Sequence, residues 1–197
     1  RGIVYVPVWE VTGSTGVTAT QAASASAALT GEAASQFGNS VAVGDVNGDG
    51  YADVVAGANS YNSNTGRLYV FHSMGSAGVT ATDAATANTN VAGEATGNYF
   101  GKSVAVGDVN GDGYADLVAG AYGYSTNAGR VYVFQSTGSP GVTATTAASA
   151  RTVITDEAAS IHFGISVATG DINGDGFADL LAGADGYTDA GRVYVFH

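Results

Sequence analysis

One register runs through the whole chain. Phe37, Phe100 and Phe163 stand 63 residues apart, and so do Asp45, Asp108 and Asp171. Self-similarity at a fixed long period signals a repeat architecture, so the fold must be built from copies of one unit. A unit reads FGxSVAVGDVNGDGYADLVAGA, a variable loop, GRVYVF, then GSxGVTATxAASA and a stretch ending near Glu32, Glu94 or Glu157. On this frame residues 1–197 form a single repeat domain. It comprises an incomplete first unit (1–36), two full repeats (37–99 and 100–162) and an incomplete last repeat (163–197).

Each unit predicts strands. Residues 40–44 lead into the acidic nonapeptide and 53–57 leave it as short runs of small and β-branched residues, as buried strands require. Residues 67–71 alternate aromatic and aliphatic side chains. A weaker fourth strand, polar and outermost, falls at 25–30 and 150–155, and the Ala-rich stretches at 22–28 and 84–87 would also suit a short helix. The Gly/Ser/Thr/Ala run at 75–82 keeps its letters at 13–20 and 138–145, which reads as an ordered turn rather than a linker. The expected class is all-β, with sheets of four antiparallel strands.

Composition removes several functions. Seventeen acids against six basic residues give a formal charge of −11, which repels nucleic acid phosphates and anionic membrane surfaces. No apolar run approaches the length of about 18 residues that a membrane-spanning helix needs. With no cysteine there are no disulfides, thiolate metal sites or cysteine nucleophiles. The first residue is Arg1, with neither an initiator Met nor a signal-peptide stretch, so the chain reads as processed or as a piece of something longer.

The nonapeptide carries the chemistry. In DxNxDGxxD the side chains at positions 1, 3, 5 and 9 are oxygen donors, and position 7 can present its backbone carbonyl. Six to eight oxygens at about 2.3–2.6 Å are how Ca²⁺ is caged. The candidate ligands are Asp45, Asn47, Asp49, Tyr51 and Asp53; Asp108, Asn110, Asp112, Tyr114 and Asp116; and Asp171, Asn173, Asp175, Phe177 and Asp179. Gly50, Gly113 and Gly176 permit the tight turn. An EF-hand loop would place an acid at position 12, where this chain has Ala56, Ala119 and Ala182. Asp/Asn/Gly runs also make ordinary turns, but three copies in register favour three Ca²⁺ sites. Three doubly charged ions would take the formal charge from −11 to −5.

With Phe37-Gly38, Phe100-Gly101 and Phe163-Gly164 before the acidic loops, and Gly57-Ala58, Gly120-Ala121 and Gly183-Ala184 after them, the chain resembles the FG-GAP repeat family. That family builds the β-propeller at the head of integrin α subunits and occurs in many secreted bacterial proteins. The resemblance implies four-stranded propeller blades and Ca²⁺ on the matching Asp and Asn positions. The family's Pro after Gly-Ala is replaced by Asn59, Tyr122 and Asp185, so the loops that help contact partners differ. About three blades are present, too few to close a ring alone, so a ring would need other chains or further sequence. The stretch at 1–9, with Pro7 and the only Trp, matches 191–197 and points to an edge or bulge. Its ends could pair between molecules into a closed ring or a head-to-tail filament, although the surplus strand argues against a simple exchange that completes one blade.

Catalytic motifs such as G-x-S-x-G and H-E-x-x-H do not occur, and the expectation is that the chain is no enzyme. His72, His162 and His197 read as rim residues. Tyr5, Tyr69, Tyr132 and Tyr194 recur at one strand position and read as packing between blades. Tyr61, Tyr122, Tyr124 and Tyr187 lie among small polar residues and read as an exposed contact surface for proteins or sugar rings. No N-x-[ST] acceptor occurs, whereas the Ser/Thr-rich turns suit O-linked sugars. The functional expectation is a secreted or cell-surface calcium-binding module for adhesion, protein interaction or self-assembly. The alternatives are a glycan-binding propeller and the accessory propeller of a larger enzyme.

Overall fold

The computed structural model describes residues 21–156 and 158–197. Among the described residues eleven short strands form three antiparallel sheets, each following chain order from one edge to the other. The first sheet contains β1 (Ser40–Gly44), β2 (Asp53–Ala58), β3 (Arg67–Phe71) and β4 (Thr89–Ala92). The second contains β5 (Ser103–Gly107), β6 (Asp116–Ala121), β7 (Arg130–Phe134) and β8 (Thr152–Thr155). The third has three strands, β9 (Ser166–Gly170), β10 (Asp179–Ala184) and β11 (Arg192–Phe196). These are propeller-type blades that do not close into a ring. Among the described residues no helix is long and apolar enough to cross a membrane.

The predicted strands stand nearly where the sequence puts them, and the fourth strand expected at 150–155 is real as β8, while β4 is a fourth strand at a stretch where the sequence reading located none. At 25–30 the expectation fails: only an isolated bridge, Thr30 to Asp83, is made there. The Ala-rich stretches shrink to single 3-10 turns, Ala22–Ser24, Ala84–Thr86 and Ala147–Ser149. The expectations for residues 1–20, including Tyr5, Pro7 and the turn at 13–20, lie outside the described residues.

The middle blade buries one face against the blade before it and the other against the blade after. Val55, Leu68, Val70 and Val91 of the first sheet pack on Phe100, Val104, Leu117, Ala119, Tyr132 and Phe134 of the second unit. One unit later Ala105, Val118, Val131 and Val133 pack on Phe163, Leu180, Ala182 and Ala184. This explains the near-continuous apolar strands: β6, the middle strand of the middle sheet, is buried along its whole length. The phenylalanine of each FG element meets its own blade edge-on, Phe100 lying 5.3 Å from Tyr132 and 6.1 Å from Phe134 between ring centres.

Two devices set the spacing of the sheets. A methyl group on Gly57 or Gly120 would overlap the carbonyl of Gly101 or Gly164 in the following unit, so backbones touch there. Beside each glycine, the Ser40 and Ser103 hydroxyls donate to those same carbonyls at 3.0 and 2.8 Å. The second device is a left-handed turn after Gly-Ala, with positive φ at Asn62, Ser63 and Asn64 and again at Ser125, Thr126 and Asn127. It aims the Asn64 and Thr65 carbonyls at the amides of Tyr99 and Phe100, and those of Asn127 and Ala128 at His162 and Phe163. Each turn thereby holds the next unit's FG element.

Candidate cation loops

The three nonapeptides connect the first two strands of each sheet and lie at one end of the blades. Their carboxylates organise the loop backbone. Asp45 accepts the amides of Gly48 and Asp49 on one oxygen, at 2.7 and 3.1 Å, and that of Gly50 on the other at 2.8 Å. The Asn47 carbonyl oxygen accepts the Asp49 amide, and Asp49 accepts the Tyr51 amide. Asp108, Asn110 and Asp112 repeat these bonds, as do Asp171, Asn173 and Asp175. Gly48, Gly50 and their counterparts adopt positive φ, the conformation that folds the acids inward.

The acid at position 9 is placed differently. Asp53 and Asp116 are fully buried. Asp53 accepts the Val46 amide at 3.0 Å and the Ser73 amide at 2.8 Å, and Asp116 accepts those of Val109 and Ser136 at 3.1 and 2.8 Å. These carboxylates tie the start of each loop to the segment after the third strand. Burial pushes Asp116 up to about 6, with the charges of Asp112 and Asp108 adding to it and the two amides opposing it. Asp179 shifts the other way. The Ile172 amide holds it below the usual range, and His197, with its Nδ1 3.0 Å away, adds to the effect.

The donor set fits a hard cation by chemistry. Each loop offers three carboxylates, an amide oxygen and the main-chain carbonyl of Tyr51, Tyr114 or Phe177, with no nitrogen or sulfur donor among them. Every carboxylate oxygen that accepts one amide retains a further lone pair. As the side chains stand, no three acids or histidines among the described residues converge tightly on one point. Binding would therefore draw Asp45 and Asp49 toward Asp53, and likewise in the other two loops.

Neighbouring loops touch. The Tyr114 ring lies over Gly48 of the preceding loop and the Phe177 ring over Gly111, so close that a Cβ on either glycine would overlap a ring carbon. The amides of Ala115 and Ala178 donate to the carbonyls of Asp45 and Asp108 at 3.0 and 2.8 Å. The buried Ser136 hydroxyl donates to the Val46 carbonyl, which links Asp116 to the first loop.

The loop tyrosines are not the free contact surface that the sequence suggests. Tyr61, Tyr124 and Tyr187 are half-buried, each beneath an arginine of its own unit, with the guanidinium carbons of Arg67, Arg130 and Arg192 at 3.8, 3.4 and 3.5 Å from the ring centres. Tyr122 stacks on Tyr99 at 4.8 Å. Tyr132 is fully buried between the first two blades, as expected of that position, and Tyr69 is fully buried against Leu29, Phe37 and Ala84. The unit-ending acids have a role that sequence reading missed. Glu32 accepts the Tyr69 hydroxyl and pairs with Arg67, and Glu94 pairs with Arg130 at 3.2 Å. The available signal was the recurrence of Glu, Arg and Tyr at the repeat spacing. His162 lies 2.8 Å from Asp185 at the rim.

The family model described as FG-GAP repeat matches residues 37–71, 100–134 and 163–196. Among curated proteins the chain is similar to integrin alpha-PS2 of Drosophila melanogaster, 33% identical over 174 residues, covering 83% of this chain and 12% of that protein. Integrin alpha pat-2 of Caenorhabditis elegans is 35% identical over 180 residues, covering 82% and 14% respectively. Integrin alpha-3 of Cricetulus griseus is 36% identical over 110 residues, covering 53% and 10%. The chain thus spans 10 to 14% of the length of these relatives.

Proposed function

Since the chain belongs to the FG-GAP repeat family, we propose that it is a calcium-stabilised extracellular or cell-surface module that acts by adhesion to other proteins, other copies of itself included. The carrying observation is the threefold all-oxygen loop, repeated with the same amide-to-carboxylate scaffold in every unit. Bound Ca²⁺ would supply charge neutralisation, and the residues holding it would be the Asp and Asn at positions 1, 3, 5 and 9 with the carbonyl at position 7. Its mechanical effect follows from where Asp53, Asp116 and Asp179 sit. A cation that engages them fixes the first two strands of a blade to the segment beyond the third.

The extracellular placement rests on family membership and on ion supply, because loops with dissociation constants of order 10⁻⁴–10⁻³ M, typical of extracellular modules, fill outside cells. The reading is of a binding module rather than an enzyme. Sugar rings are disfavoured as ligands of Tyr61, Tyr124 and Tyr187 because arginines already cover those faces. Calorimetric titration of chelator-stripped protein tests the cation. Three Ca²⁺ per chain, falling to two in Asp112→Asn, is the expected result, and no uptake at millimolar Ca²⁺ would refute it.

A further inference from the structure

The interface between blades occurs twice inside the chain, and among the described residues parts of both its halves also stand open on the end sheets. On the first sheet Val41 and Val43 are 66% and 67% exposed. Their equivalents Val104 and Val106 belong to the core between the first and second sheets. On the third sheet Val193 and Val195 are 64% and 46% exposed, although their equivalents Val131 and Val133 are buried against the third unit.

The glycines repeat this pattern position by position. A Cβ on Gly44 would overlap Val106 and meet Ala115, and one on Gly107 would lie 3.0 Å from both Thr169 and Ala178, whereas one on Gly170 would meet nothing within 4 Å. Gly48 and Gly111 are covered by Tyr114 and Phe177, while Gly174 is open and Tyr51 is 48% exposed. Gly57 and Gly120 abut the carbonyls of Gly101 and Gly164, but Gly183 faces only its own Ser166.

We propose that the third sheet of one molecule packs on the first sheet of a second copy, reproducing the interface that the chain makes twice within itself. The register is then fixed. Gly170 receives Val43, Gly174 lies under Tyr51, Gly183 abuts the Gly38 carbonyl, and the Ser166 hydroxyl donates to that carbonyl as Ser40 and Ser103 do to theirs. The outer part of the first sheet is already packed against Leu29, Phe37 and Val79, so the open part is the inner strand, which faces β9 and β10 of the partner copy. Such a contact is heterologous, with different patches on the two sides, and it yields a ring or a head-to-tail polymer rather than a symmetric pair. This deepens the self-association within the proposed function and does not depend on whether the loops take up calcium.

The test begins with molar mass by light scattering at high protein concentration, in Ca²⁺ and in chelator. A species near 39 kDa, two copies of 19.5 kDa, or longer polymers are expected, and a monomer in both conditions overturns the proposal. Gly170→Leu adds a side chain that meets nothing in the isolated chain, so it should fold normally and remain monomeric. Association unchanged by it would also overturn the register.

Because the chain has no cysteine, directed cross-linking is clean. A Cβ on Gly44 would lie 3.3 Å from that of Val106, near the 3.5–4.5 Å of a disulfide. Mixing Val43→Cys with Gly170→Cys should therefore link the two variants to each other, with Gly44→Cys/Val106→Cys in one chain as the internal control. Linkage of Val43→Cys only to itself would show a symmetric pair and refute the head-to-tail seam. Monomers that bind three Ca²⁺ would sink the seam alone, and polymers that bind none would sink the cation reading alone.

Discussion

Gly57, Gly120 and Gly183 occupy one position of the second strand in three blades, and the structure predicts three different costs for the same methyl group. In Gly120→Ala the new Cβ overlaps the Gly164 carbonyl, and it displaces the Ser103 hydroxyl that donates to that carbonyl at 2.8 Å. Backbone cannot rotate away as a side chain can, so the sheets must separate. Overpacking of this kind costs about 1–3 kcal/mol and the disrupted hydrogen bond about 1 kcal/mol. Replacing a strand glycine returns about 0.5–1 kcal/mol of chain entropy. The expected net loss is about 2–3 kcal/mol, or roughly 4–12 °C in Tm for a chain of this size. Gly57→Ala should behave alike, since its Cβ overlaps the Gly101 carbonyl. Gly183→Ala meets only the rotatable Ser166 hydroxyl and should fall within about 0.5 kcal/mol of the parent. The assay is urea unfolding in chelator, with all three changes made in the Gly170→Leu background that keeps the protein monomeric. A Gly183→Ala variant as unstable as Gly120→Ala would refute the account, because the cost would then belong to the strand position and not to the neighbouring blade.

Thr126 holds φ of +57° in the left-handed turn, a conformation costing a side-chain-bearing residue about 1–2 kcal/mol; Thr126→Gly should therefore raise Tm by a few degrees, and a fall would show that the turn depends on the threonine. Arg130→Lys removes the planar group lying 3.4 Å over Tyr124 and the paired contact with Glu94, and it should cost about 1 kcal/mol by urea unfolding, with no loss refuting the bridge. Asp116 should titrate near 6 in chelator-treated protein, read from its side-chain carboxyl ¹³C shift, and a midpoint at 4 or below would refute the burial argument. The sign follows from a native value above the unfolded one of about 3.9: the folded state binds more protons between pH 4 and 6, so the Asp116 contribution to stability falls as pH rises through that window.

The 63-residue period, the β1, β2 and β3 segments of each unit and the oxygen-rich loops are all legible from the letters alone. They are local: alternation, β-branching and the Asp/Asn/Gly turn act within a few residues, and repetition amplifies a signal that one copy would leave ambiguous. What touches what across the packed units is not local. No spacing rule says that Glu94 pairs with Arg130, that Tyr124 lies under that same arginine, or that Asp116 reaches Ser136 and through it the preceding loop. Loop tyrosines look like a free binding surface in sequence because composition reports polarity and not neighbours. The sequence likewise makes Val41, Val104 and Val167 identical positions, whereas their exposure differs with whether another blade lies alongside. Identity of residue is set by the chain; burial is set by the partner surface, and packing supplies that surface only after the blades have stacked.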